Sequence, residues 1–291
     1  MSAAVTVPPT TADGVRPVLA LARTEAVRLL RHPLFLVALA LFVWQLAQTA
    51  VISPERTLRG LSEAWAVLTG FYLGLGGFLA MHSLTRSTRS ARDVVGAAPL
   101  DETRRTLALC LACLVPFGLA LLGGAVTMLT WDGGPDGFYS VLTAGEIRAF
   151  HATVLLAALG GPLLGVAVAR WWRWPMAGVV VAIGLVAWSV STGIFTHGFG
   201  TTLYHQSGPF SLALTGAESE QTFRQAGSWA WRVPYVACLC ALALQAALLH
   251  GATGRLRTRL LGALGGTAVV AVACLLMAAA TGPDGVSLWK A

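Results

Sequence analysis

The chain has 291 residues, of which 56% are apolar and 11% charged, whereas an ordinary soluble domain carries about 25% charged residues. Water could not solvate such a surface over its whole extent, which excludes a soluble globular enzyme, and the mean hydropathy of +0.69 agrees. An excess of 20 Lys and Arg over 13 Asp and Glu fits nucleic acid, anionic lipid or membrane topology equally until the charges are located.

The leader 1–14, rich in Thr, Ala and Pro, is expected to be a disordered tail. From 15 to 32 the chain fits an amphipathic helix. Val18, Leu19, Ala22, Ala26, Leu29 and Leu30 share one arc, while Thr24, Arg28 and Arg31 face away. Arginine on the polar side suits a helix lying on an anionic leaflet, so Arg23, Glu25, Arg28 and Arg31 are its candidate interfacial residues. Pro33 would then turn the chain into the membrane.

Apolar blocks of about 20 residues, the length that crosses a hydrocarbon core of about 30 Å, follow at 34–53, 64–84, 106–130, 149–169, 174–195, 233–250 and 260–280. They predict an all-α fold: a polytopic helical membrane protein of six to seven transmembrane helices, with 33–250 as the transmembrane domain and 260–280 as an additional C-terminal helix. The first block is longer than the apolar stretch of about 7–15 residues in a cleavable signal and lacks a clear A-x-A site, so it is expected to be an anchor.

Charge placement orients these blocks. Fourteen of the 20 basic residues fall in the segments 1–33, 85–105, 170–173 and 251–259, and six, Arg56, Arg59, Arg148, Arg224, Arg232 and Lys290, fall on the opposite side. The two sides carry +9 and −2, so the positive-inside rule puts the N-terminus in the cytoplasm and the C-terminus outside. Trp65, Trp131, Trp229 and Trp231 would mark the outer headgroup level and Trp171, Trp172 and Trp174 the inner one. Topology thereby accounts for the basic pI, and no nucleic-acid partner is expected.

Inside the spans the chemistry is sparse. All 13 acidic residues lie in loops or at span ends, which disfavours a carboxylate-based ion-coupled carrier. The six histidines show no metal-ligand spacing and the five cysteines sit in apolar blocks as small hydrophobes, so no metal or cofactor is expected. The only lysine is Lys290 and there is no phosphate loop, so any ATPase must be a partner. Gly70–Gly74, Gly161–Gly165 and Gly262–Gly266 form G-x-x-x-G pairs that permit close helix contact, within one chain or between subunits. Gln45, Gln48 and Thr49 in the first span face protein or line a substrate path. The segment 196–231 is more apolar than a solvated linker and is expected to dip back into the outer leaflet as short helices.

Two segments resemble a known family. Ala22-Arg-Thr-Glu-Ala-Val-Arg-Leu-Leu-Arg-His-Pro33 resembles the interfacial start of ABC-2 type transporter permeases, and Arg92-Asp-Val-Val-Gly-Ala-Ala-Pro-Leu-Asp-Glu-Thr-Arg-Arg-Thr-Leu107 resembles that family's loop between its second and third spans. The resemblance implies an exporter subunit in the bacterial plasma membrane that works as a homodimer or with a second permease, in contact with membrane lipid. It also implies docking of an ABC nucleotide-binding subunit on a short helix at 90–98, with Arg92, Asp93, Val94, Val95 and Ala98 as contacts. The family usually has six spans, and the seventh block departs from it. A membrane protein without transport, such as an immunity or regulatory subunit, and an ion-coupled carrier are the alternatives.

With the five native cysteines removed, a cysteine at Ser87 should escape a membrane-impermeant thiol reagent in intact cells while one at Ser140 is labelled. The reverse pattern would invert the orientation.

Overall fold

The computed structural model describes residues 15–52, 65, 68–95, 101–129, 144–191, 199–208, 221–223, 227–281 and 287–289. The fold is all-α. In chain order come α1 (Val15–Leu30), α2 (Pro33–Ile52), a π-helical segment (Thr69–Gly76) that continues into α3 (Gly77–Val95), α4 (Glu102–Ala112), α5 (Leu114–Leu129), α6 (Ala144–Trp171), α7 (Ala177–Ser191), α8 (Phe199–Ser207), α9 (Trp229–Leu249) and α10 (Gly254–Ala280). Two short strands, β1 (Gln221–Phe223) and β2 (Ser287–Trp289), pair antiparallel. The expected tail 1–14 lies outside the described residues.

Among the described residues, four stretches are long and apolar enough to cross a membrane, namely Glu102–Val126, Arg148–Trp171, Trp229–Leu249 and Gly254–Ala280, and a fifth is gained if α1 and α2, bent by 64° between them, count as one. The chain is therefore a membrane-embedded helical protein. α7, with 15 residues, rises about 22 Å and is shorter than a straight crossing requires. The bend between α1 and α2 falls at Arg31-His32, where the proline at 33 cannot continue the hydrogen-bond ladder.

α6 is the axis of the fold. It packs against α9, α3, the π-helical segment, α5, α4 and α7. Its glycines explain the closeness: a Cβ on Gly161 would lie 2.2 Å from the carbonyl oxygen of Gly74, and one on Gly165 would lie 2.3 Å from that of Phe78. Backbone thus touches backbone, the arrangement that small residues allow in apolar surroundings. Pro162 and Pro116 both converge on Gly77, the first residue after the π-helical turns, where a Cβ would sit 2.7 Å from Pro162 Cγ and 3.5 Å from Pro116 Cγ. Proline removes a ladder hydrogen bond and π turns widen the helix, so three local irregularities are nested at one level.

Around this contact lies the main core, with Phe35, Phe42, Trp65, Leu73, Met81, Leu109, Phe150, Val154 and Val166 buried together. Trp65 donates its indole N–H to Ala120 O at 3.2 Å and covers Gly123 and Gly124. Trp65 and Trp229 are each 2% exposed, which corrects their expected place at the outer headgroup level: both pack inside the protein, where Trp229 meets Phe150 edge to face at 5.2 Å. Trp171, Trp172, Trp174 and Trp231 remain exposed, and Trp131 lies outside the described residues.

α10 packs on α9 through Ala271, Cys274 and Ala278, with Gln245 Nε2 donating to Thr267 Oγ1 at 3.0 Å, and leaves Val269, Val270 and Val272 exposed. Of the three G-x-x-x-G pairs, Gly161–Gly165 is filled by its neighbours, and Gly74 meets Gly161. Gly262 and Gly266 have no atom of another element within reach of a Cβ.

Gly161→Ala should therefore lower the unfolding temperature in detergent, at a cost of about 1–3 kcal/mol from overpacking. Gly262→Ala should be neutral or stabilising, since it adds helix propensity without a clash. Equal effects would place the decisive contact elsewhere.

Candidate functional site

The arginine-rich end of the molecule is built by α1, α3, α4 and the α9–α10 turn. α1 lies against α4, with Val18 and Ala22 packed on Ala108 and flanked by Leu21 and Leu111. The apolar arc read from the sequence is split by this contact. Val18, Ala22 and Leu29 face protein, whereas Leu19 and Leu30 stay exposed. Glu25, on the buried side, accepts from Arg28 Nη1 with both carboxylate oxygens at 3.0 Å, and Arg23, Arg28 and Arg31 are exposed. His32 Nε2 and Ser83 Oγ, 3.3 Å apart, tie the bend to α3.

The segment expected to hold a separate short helix at 90–98 is organised differently. α3 runs without a break from Gly77 to Val95, so Arg92, Asp93, Val94 and Val95 form the last turn of a helix whose other end packs on α6. Their side chains, and Ala98 altogether, lie outside the described residues. Ser87 and Thr88 bond back to the carbonyls of Leu84 and Thr85 at 2.8 Å, keeping these polar residues compatible with a continuing helix.

At the start of α4 a polar node joins three elements. Arg170 Nη1, at the end of α6, donates to Glu102 Oε1 at 3.1 Å, and His250 Nδ1 lies 3.6 Å from the same oxygen. Thr103 Oγ1 donates to Gly251 O at 3.1 Å, and Trp171 Nε1 to Ala246 O at 2.8 Å. The Trp171 ring meets His250 edge to face at 5.7 Å. Arg170 is 5% exposed at its side chain and Glu102 28%, so the pair is partly dry, and loss of either partner would leave the other charge poorly solvated. The sequence placed Glu102 in the segment before the block 106–130 and Arg170 just after the block 149–169, without pairing them. Their 68-residue separation leaves no local signal.

At the opposite end Arg232 anchors α8. Counted from sequence as an outside loop residue, it lies instead in the first turn of α9 and is 2% exposed. Its guanidinium donates to Gln206 O, Gln206 Oε1 and Gly208 O at 3.3, 3.2 and 3.0 Å and stacks over Trp229 at 5.4 Å. The helix thus held matches the short helix expected within 196–231. Tyr235 OH donates to Ser207 O at 3.0 Å and Trp188 Nε1 to Ser207 Oγ at 3.2 Å.

Below this cap, α6, α7 and α9 enclose a crevice of about 380 Å³. Leu164, Leu185, Leu239 and Leu242 line it, and the small side chains of Gly160, Ala157, Ala167 and Ala243 leave its space unfilled. The expected path residues lie apart from it, on α2. Gln45 is exposed, Gln48 is half-buried, and the Thr49 side chain lies outside the described residues. α2 buries Phe35, Ala38 and Phe42 and exposes Val37, Leu41 and Trp44.

No protein-family model, curated protein or solved structure matches the chain.

Arg170→Gln should lower the unfolding temperature in detergent by the equivalent of about 1–3 kcal/mol, because it strands a partly buried carboxylate. Arg104→Gln, at an exposed position, should change it little. Comparable shifts in the two variants would deny the node its structural role.

Proposed function

We propose that the chain is the membrane subunit of an ATP-driven exporter of the ABC-2 type, with six to seven spans, that takes its energy from a separate nucleotide-binding subunit. The observation that carries the reading is the Arg92–Leu107 run together with where its parts fall. The first four residues end α3, and Glu102 opens α4 at the polar node. A partner pressing on the last turn of α3 would push a continuous helix whose base is packed backbone to backbone on α6. Glu102 and Arg170 would pass the same displacement to α6, and the Thr103–Gly251 bond would pass it to the α9–α10 turn. Rigid helices joined at bonded ends carry a displacement better than a solvated loop would.

The absence of a phosphate loop in a chain whose only lysine is Lys290 supports placing hydrolysis in the partner. Arg92 and Asp93 offer charge-assisted contacts around an apolar Val94, Val95 and Ala98 centre, the composition of a small interface. The exposed apolar face of α2, with Val37, Leu41 and Trp44, leaves a helix surface that lipid or a second membrane subunit would cover. In this reading a homodimer or heterodimer forms around α2, and Gln45, Gln48 and Thr49 border the substrate path. The N-terminus lies in the cytoplasm and the C-terminus outside the plasma membrane.

Val94→Asp combined with Val95→Asp should leave membrane insertion intact and abolish both co-purification of a nucleotide-binding subunit and the stimulation of its ATPase in vesicles. Full retention of both would overturn docking at this segment. Substrate flux that persists without the ATPase would favour an ion-coupled carrier.

A further inference from the structure

We propose that the crevice between α6, α7 and α9 holds one acyl chain of an anionic phospholipid, whose headgroup sits at the arginine-rich end of the molecule. This site stands whether or not the chain transports anything.

Three observations fix the occupant. The first is length. On α9 the crevice runs from Tyr235 to Ala246, a rise of about 16 Å, which is roughly half of a hydrocarbon core of about 30 Å and so the depth of one leaflet. Ala246 lies within a turn of the end of α9 at Leu249, and Ala167 within about a turn of the end of α6 at Trp171, so the crevice begins near the headgroup level and runs inward.

The second is polarity. The inner end is closed by Ser207, Tyr235 and Trp188, whose hydrogen bonds are made among themselves and to the α8 backbone. The walls are apolar. A chain terminus can end there without stranding a polar group, whereas a polar solute would find no partner along the groove. Left empty, the same walls would forfeit their dispersion contacts, and half-buried Leu156, Leu164, Leu239 and Leu242 leave a side open to the bilayer.

The third is charge. Immediately beyond the open end come exposed Trp171, Trp172, Arg173 and Trp174, and the first turns of α10 carry exposed Arg255, Arg257 and Arg259. Of the carboxylates with described side chains at this end, Glu102 is engaged by Arg170 and Glu25 by Arg28, and Asp101 is exposed. The balance is positive, with indoles at hand for the glycerol region.

The test uses the full chain in vesicles of phosphatidylglycerol or phosphatidylcholine, each doped with the same lipid carrying a photoreactive diazirine on its acyl chain. Adducts are mapped by mass spectrometry. Labelling at Leu239–Ala246 should exceed that at Val269–Val272, on the exposed face of α10, several-fold in phosphatidylglycerol. Ala246→Trp should remove the excess. Arg173→Gln with Arg255→Gln should lower the phosphatidylglycerol preference by about fivefold for each arginine that contacts the headgroup, the equivalent of about 1 kcal/mol. Should Ala246→Trp fail to fold, the arginine variants decide alone. Equal labelling of the two segments would show annular lipid only and overturn the site, and equal labelling with both lipids would overturn the anionic headgroup.

Discussion

The contact on which the rest of the structure depends is the one between Gly161 and Gly74. In a bilayer the lipid tails compete on equal terms with apolar side chains, so helices associate through close packing rather than through exclusion of water. A Cβ at Gly161 would fall 2.2 Å from a backbone oxygen, and any side chain there would hold α6 off the π-helical segment. Because α6 is also the partner of α3, α5 and α9, separation at this level would loosen the core along its whole length. The π turns and the two prolines nested at Gly77 are consistent with that demand: an irregular helix face is shaped to its neighbour.

From this fixed level the molecule extends to two polar ends of different construction. One is a set of long-range bonds, in which Glu102, Arg170 and His250 join three elements that share no sequence proximity. The other is a single buried cation that gathers the backbone carbonyls at the end of α8. Between the ends the interior is mostly apolar, with Thr69, His82 and Thr153 as buried polar exceptions, and the crevice lies along the α6–α9 seam because small residues there leave the helices less than filled.

The all-α class, the apolar blocks and the place of the bend at Pro33 were legible in the sequence because each rests on local chemistry: block length against bilayer thickness, and a missing amide. The short helix within 196–231 was foreseen from an apolar excess, though nothing in that excess named Arg232 as its anchor. A positional count placed Arg232 outside the membrane, while its burial follows from carbonyls supplied 24 and 26 residues earlier.

What only the tertiary structure decided were the pairings. Trp65 and Trp229 have the composition of headgroup markers, and they became core residues because Gly123, Gly124 and Phe150 left volume for them. The apolar arc of α1 pointed to lipid until Ala108 offered a small-residue surface to Val18 and Ala22. Glu102 and Arg170 each had a local reading, and their bond required α4 and α6 to end at the same level. Periodicity and composition determine what a helix can bury; which neighbour it buries it against is set by steric fit between segments far apart in the chain, and no single segment contains that fit.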